Sequence, residues 1–215
     1  MTKKEKALEI LKRLSKAMPN PKVELDFKTP FQLLAATILA AQATDKKVNT
    51  LTPALFEKYP TIEDMSHASV DDVDKLVNQV LFHRNKAKNI VESARIIMEK
   101  HGGRVPQTME ELDALPGVAR KTANVVLGSC FGIASGIVID THGIRLSNKL
   151  GLTTEKDPVK IERDLMELIP QDSWILFGHL LTLHGRYICI ARPHSCEQCP
   201  LDDLCPEYDQ WSAGK

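Results

Sequence analysis

The sequence predicts an all-α fold. Three observations carry that reading: apolar residues recur at helical spacing through most of the chain, prolines fall mostly between the periodic stretches, and only 136–139 looks strand-like. Four residues make no sheet. The periodic stretches are 4–18, 30–43, 46–59, 70–80, 86–101, 109–115, 120–128, 142–150, 157–169 and 174–188. The clearest is 86–101, where Ala87, Ile90, Val91, Ala94, Ile97 and Met98 line one face and Gly102-Gly103 supplies the stop. Prolines at 21, 30, 60, 106, 158, 170 and 193 separate these stretches, whereas Pro53 falls inside one and predicts a break or a late start. There is no internal repeat and no Gly/Ser linker, so any two lobes are joined by helices or short turns.

The 215 residues are 43% hydrophobic and 26% charged, a composition that builds a core and excludes disorder. The best apolar run, 33–41, contains Thr37 and falls well short of the roughly 20 residues of a membrane span. The opening Met1-Thr2-Lys3-Lys4-Glu5-Lys6 leads into an amphipathic pattern, not a signal-peptide core, so a soluble cytoplasmic protein is expected. Lys and Arg balance Asp and Glu at 28 each. That zero hides a surplus of five basic residues over 1–105 and of five acidic ones over 106–215. A polyanion must therefore be held by local clusters.

Four of the five cysteines sit close together, as Cys189-x6-Cys196-x2-Cys199-x5-Cys205. In a reducing compartment such a group reads as a metal site before it reads as disulfides. Structural zinc sites usually pair ligands as two short knuckles. One short pair flanked by longer arms suits a bulkier iron–sulfur cluster, with zinc as the alternative. Cys130, beside Phe131, reads as a small buried hydrophobe.

In Leu115-Pro116-Gly117-Val118-Ala119-Arg120-Lys121 a tight turn joins two helices. The unpaired N–H groups at the second helix start, with its dipole, make an anion site that fits a phosphate; an ordinary helical corner is the bland alternative. Lys121 falls in the first turn, where the dipole disfavours a cation. It is either a nucleophilic amine or a point charge steadying the phosphate. Asp140 ends the apolar run 136–139 just before a helix. It reads as an N-cap, as a carboxylate for proton transfer, or as both.

Together these pieces resemble the endonuclease III family of DNA-repair glycosylase/lyases, in the helix-hairpin-helix superfamily. The matching stretches are 41–45 (AQATD), 85–90 (NKAKNI), 115–126 (LPGVARKTANVV), 139–142 (IDTH), 183–186 (LHGR) and the cysteine group. The resemblance implies a two-lobed fold, with a six-helix barrel domain over 22–132 and an iron–sulfur domain from 1–21 and 133–215. It implies a [4Fe–4S] cluster on Cys189, Cys196, Cys199 and Cys205, and a monomer with no membrane partner. The partner implied is double-stranded DNA with damaged bases or abasic sites, in the cytoplasm and at the nucleoid if the cell is a prokaryote.

By the same resemblance, neutral Lys121 attacks C1′, the oxidised pyrimidine leaves, and β-elimination nicks the strand 3′ to the abasic site. Asp140 assists the proton transfers. Gln42 fills the gap left by the flipped base and Phe82 is the apolar wedge. Arg84, Lys86, Leu115, Gly117, Ala119, Arg120 and His142 complete the DNA contacts. The alternatives are a monofunctional glycosylase of the superfamily and a non-catalytic DNA-binding module with a structural metal. Some residues depart from the family pattern. Ala119 replaces a second hairpin glycine, Leu81 a glycine and His83 a tyrosine beside the wedge, and Arg192 is the lone arginine between the first two cysteines.

Overall fold

The computed structural model describes residues 1–192 and 194–207; Pro193 and 208–215, which fall within the expected iron–sulfur domain, lie outside them. The described residues form eleven α-helices and no strand. Two compact units result, one from Val23–Ile133, the other from Met1–Lys22 with the chain from Ala134 onward.

The continuous unit contains α2 (Pro30–Ala40), α3 (Asp45–Lys58), α4 (Ile62–Ser66), α5 (Val70–Val77), α6 (His83–His101), α7 (Met109–Asp113) and α8 (Arg120–Phe131). Threonines 29, 44, 61 and 108 cap α2, α3, α4 and α7 by accepting a backbone N–H. Helix α6 is the spine on which α4 and α5 pack, and α2 packs against α3, α6 and α8. The core-facing residues of α2, Phe31 to Leu39, are buried almost without interruption, which is why its apolar run lacks a clean period.

Several elements differ from the periodicity. Pro53 does not break α3, because buried Val48, Leu51, Thr52 and Leu55 hold the helix through it. Helix α4 is too short to show a period; its signature is the capping box of Thr61 with Asp64. Helix α2 stops at Ala40 and α6 starts at His83, three residues before the expected boundary in each case. The reason lies in the loops described below.

The second unit brings α1 (Lys3–Ala17) together with α9 (Thr141–Lys149), α10 (Pro158–Leu168) and α11 (Trp174–Tyr187). Its core joins Ala7, Ile10 and Leu14 of α1 to Leu146, Ile161, Leu165, Phe177 and Leu181. The segment 136–139 is not a strand but a connector that buries Ile137 and Ile139. Gly178 lets α11 approach it, since a Cβ there would stand 3.1 Å from the Val138 nitrogen.

Candidate functional site

In the continuous unit the hairpin is built as its sequence requires. Val118 N–H donates to Leu115 O at 3.1 Å, and Gly117 takes φ +75°. No other residue fits there. A Cβ at Gly117 would lie 2.4 Å from Asn89 Nδ2, so the turn rests directly on α6. Ser93, fully buried one turn further along α6, donates to Pro116 O at 3.1 Å. Neither Asn89 nor Ser93 was singled out by the sequence reading; the available signal was two polar residues, four apart, on or beside an apolar helix face.

Helix α8 then begins at Ala119 with no side-chain cap. Its first backbone bond inside the helix is Ala123 N–H to Ala119 O, so the amides before it point out of the helix start. Gly117 and Ala119 are exposed, as is Lys121, which has no carboxylate partner among the described residues. This is a basic helix N-terminus of the kind that accepts anions. Leu115 corrects the sequence expectation: it is buried, and its N–H is spent on Leu112 O, leaving nothing to offer a phosphate.

Two loops of this unit share an unusual backbone. Gln42 (φ 57°) and Phe82 (φ 55°) are the non-glycine residues with left-handed conformation among those described. Neither is Asn or Asp, which enter that region more readily, so both positions carry strain. Gln42 is exposed, and Phe82 with Leu81 forms an apolar tip, 63% and 62% exposed. The tip is anchored to α5 from both following residues: His83 Nδ1 lies 2.5 Å from Asp74 Oδ1, and Arg84 donates to Asp71 at 3.1 Å. Lys86 is a second correction. It is 5% exposed, with its ammonium on the carbonyls of Leu39 and Ala41, and is not a surface cation.

In the other unit Asp140 is the N-cap of α9, its Oδ1 accepting Gly143 N–H at 2.8 Å. The cap fixes one carboxylate oxygen and leaves Oδ2 without a partner among the described residues. Half-buried His142 packs on α11, where a Cβ at Gly185 would come within 2.7 Å of the His142 Cβ.

All four clustered cysteines are free thiols lining one cavity, with Leu146, Leu150, Ile188 and Leu201 as its apolar wall. The loop that carries them is built from consecutive turns, Cys199 N–H to Cys196 O and Asp202 N–H to Cys199 O. It is tied down by arginines from distant helices. Arg145 donates to Cys189 O at 2.6 Å and Gly185 O at 2.9 Å, with the Cys189 Sγ at 3.8 Å. Arg13 reaches Pro200 O and the Asp203 carboxylate. His184 Nε2 lies 3.8 Å from Cys199 Sγ. Burial, reinforced by the neighbouring thiols, pushes the Cys199 thiol up to about 11 and raises Cys196 as well. A positive charge in the cavity would favour the thiolate forms of these two cysteines.

Residues 35–171 match the model of the HhH-GPD superfamily of base excision DNA repair proteins. The endonuclease III of Synechocystis sp. is 52% identical over 205 residues, covering 95% of this chain and 94% of the relative. That of Escherichia coli is 42% identical over 207 residues, covering 96% and 97%. Among solved structures, a trapped endonuclease III–DNA covalent intermediate superimposes with a TM-score of 0.91 at 37% identity, covering 98% of this chain and 99% of that one. A non-covalent endonuclease III–DNA complex gives the same TM-score and identity, covering 98% of each.

Proposed function

The chain belongs to the endonuclease III family, within the HhH-GPD superfamily of base excision DNA repair proteins, and we propose that Lys121 and Asp140 carry its chemistry. It is a base-excision-repair DNA glycosylase and AP lyase. The observation that carries the residue assignment is the uncapped start of α8, where an exposed lysine stands beside outward-facing amides. The amides hold a backbone phosphate through hydrogen bonds and the helix dipole, and leave Lys121 at the deoxyribose it serves.

The neutral Lys121 amine attacks C1′ and forms a C–N bond while the base departs with the electrons of the glycosidic bond. The C1′–O4′ bond then opens, O4′ taking the proton that the attacking amine releases, and leaves a protonated Schiff base; this acidifies C2′, and loss of a C2′ proton expels the 3′ phosphate and nicks the strand. Asp140, its Oδ1 held on Gly143 N–H, is the carboxylate that assists the proton transfers. Gln42 fills the space of the extruded base and Phe82 wedges the stack, which the exposure of both supports. Gly117 and Ala119 contact phosphate through their amides, and Arg84, Arg120 and His142 complete the DNA contacts. Oxidised pyrimidines and abasic sites are the substrates, met by a monomer in the cytoplasm.

Cys189, Cys196, Cys199 and Cys205 would hold a [4Fe–4S] cluster. The four thiols line one cavity, and one short Cys-x2-Cys pair flanked by longer arms suits a bulkier cluster better than the paired knuckles of structural zinc. When bound, the cluster supplies the positive charge that offsets four thiolates and cross-links the loop. We assign the expected barrel domain to the continuous unit, which holds seven helices, α2–α8, where six were expected, and the cluster domain to the unit that holds the cysteines.

The decisive experiment is borohydride trapping on a duplex carrying an oxidised pyrimidine. Wild type gives a covalent adduct; Lys121→Gln lowers its yield by about 10³-fold or more while the fold is kept, because Lys121 is exposed. Base release without any trapped adduct in wild type would make the enzyme monofunctional, with water as nucleophile.

A further inference from the structure

Among the described residues of 23–133, Lys86 is the one buried charged side chain. No carboxylate faces it. Burial pulls its pKa below the ordinary lysine value, and only two main-chain carbonyls offset the lost hydration: Leu39 O at 2.9 Å and Ala41 O at 2.5 Å. A buried cation bonded to carbonyls alone calls for an explanation.

The carbonyls it binds are those at the end of α2, where a helix leaves its last acceptors unpaired and its dipole negative. In a continuing helix Leu39 O would accept the N–H of Ala43. Here that amide turns back to Ala40 O at 3.1 Å, and the ammonium takes the vacated carbonyl. The chain is thereby released to pass through Gln42 in the left-handed region. Lys86 also belongs to the opening turn of α6, its own N–H donating to Phe82 O at 3.1 Å. Its backbone thus closes the turn at one left-handed residue while its side chain braces the loop that holds the other. Left-handed Gln and Phe persist only where the surroundings over-determine them.

We propose that Lys86 is a positioning residue: a buried brace that locks the Gln42 loop and the Phe82 tip into one preformed unit for entry into the duplex. This rests on the assignment of Gln42 and Phe82 as the residues that enter DNA, and it removes from DNA the time spent ordering the two loops.

Lys86→Met keeps the stem and deletes the brace. Base release under single turnover is measured on a dihydrouracil duplex with each of two opposite bases. Borohydride trapping is measured on an abasic site in single-stranded DNA, where there is no opposite strand and no gap to fill. The expected result is a loss of about tenfold or more in duplex base release, with reduced opposite-base preference, and trapping within about twofold of wild type. In the DNA-free protein, amide exchange over 40–44 and 81–86 should accelerate together while α8 is unchanged. Equal loss in both assays, or none in either, overturns the proposal, as does exchange that rises in only one loop. If Lys86→Met does not fold, Lys86→Leu, which also deletes the donor, is put through the same assays with the same criteria. A wild-type protein inactive on both substrates would instead refute the glycosylase/lyase reading, while the exchange measurement still tests the brace.

Discussion

The two units hold their functional groups by opposite means. In 23–133 the hairpin, the Gln42 loop and the Phe82 tip are backbone features shaped by turns and helix ends within one continuous stretch of chain. In the unit that holds Asp140, the cysteine loop is fastened by side chains from afar: Arg13 of α1 lies 187 residues from the Pro200 carbonyl it reaches, and Arg145 lies 44 from Cys189. The first arrangement presents amides and strained loops to a polyanion and is held from within one continuous stretch, the Lys86 brace included. The second depends on long-range tethers and on what fills the cavity, so it should be the more easily lost of the two.

The largest effect should come from the cavity. Cys199→Ser removes one of the four proposed ligands, and structural metal sites are worth on the order of 10 kcal/mol. The yellow-brown colour expected of a bound cluster, with absorbance near ~400 nm, should be lost. Amide exchange should become rapid over α9–α11 while α6 and α8 stay protected. Uniform protection in a colourless variant would show the unit to be self-sufficient.

Arg145→Met tests the tethers without touching a cysteine. It strands the carbonyls of Cys189 and Gly185, a cost of about 2–3 kcal/mol, read as a lower Tm of the cluster unit with 23–133 unaffected. An unchanged Tm would refute the tether. On the backbone side, Gly117→Ala should cost about 1–2 kcal/mol, through its positive φ and the collision with Asn89. It should also weaken binding to undamaged duplex. Adding Asn89→Ala relieves the collision alone, so the double variant should be less destabilised than the sum; strict additivity would mean that the contact is not felt.

The smallest effect is acid-dependent. Hydrogen bonds from Arg13 hold the carboxyls of Glu9 and Asp203 below their ordinary values. Because these folded-state values are depressed, the stabilisation is present above the unfolded values of about 4.3 and 3.9 and is lost as pH falls through the folded ones. The Tm gap between wild type and Arg13→Met should therefore be present at neutral pH and close on acidification. A gap that widens in acid would contradict the pairing.

Legibility followed the same division. The hairpin, the uncapped helix start and the cysteine spacing were readable because each is a local pattern with its own chemistry. Asn89, Ser93, Arg13 and Arg145 were not, since a polar residue on a helix looks alike whether it meets solvent or a distant carbonyl. Lys86 shows the limit most clearly. Its sequence neighbours make it one of several cations before an amphipathic helix, and only packing against α2 turns it inward.

Periodicity and capping by themselves determined that the chain is helical and roughly where each helix runs, because those signals depend on neighbours three and four residues apart. The stop of α2 at Ala40 and the start of α6 after Phe82 were decided by tertiary structure. A helix end is a competition between the next amide of the chain and any other donor that arrives, and the arriving ammonium comes from a residue more than forty positions away.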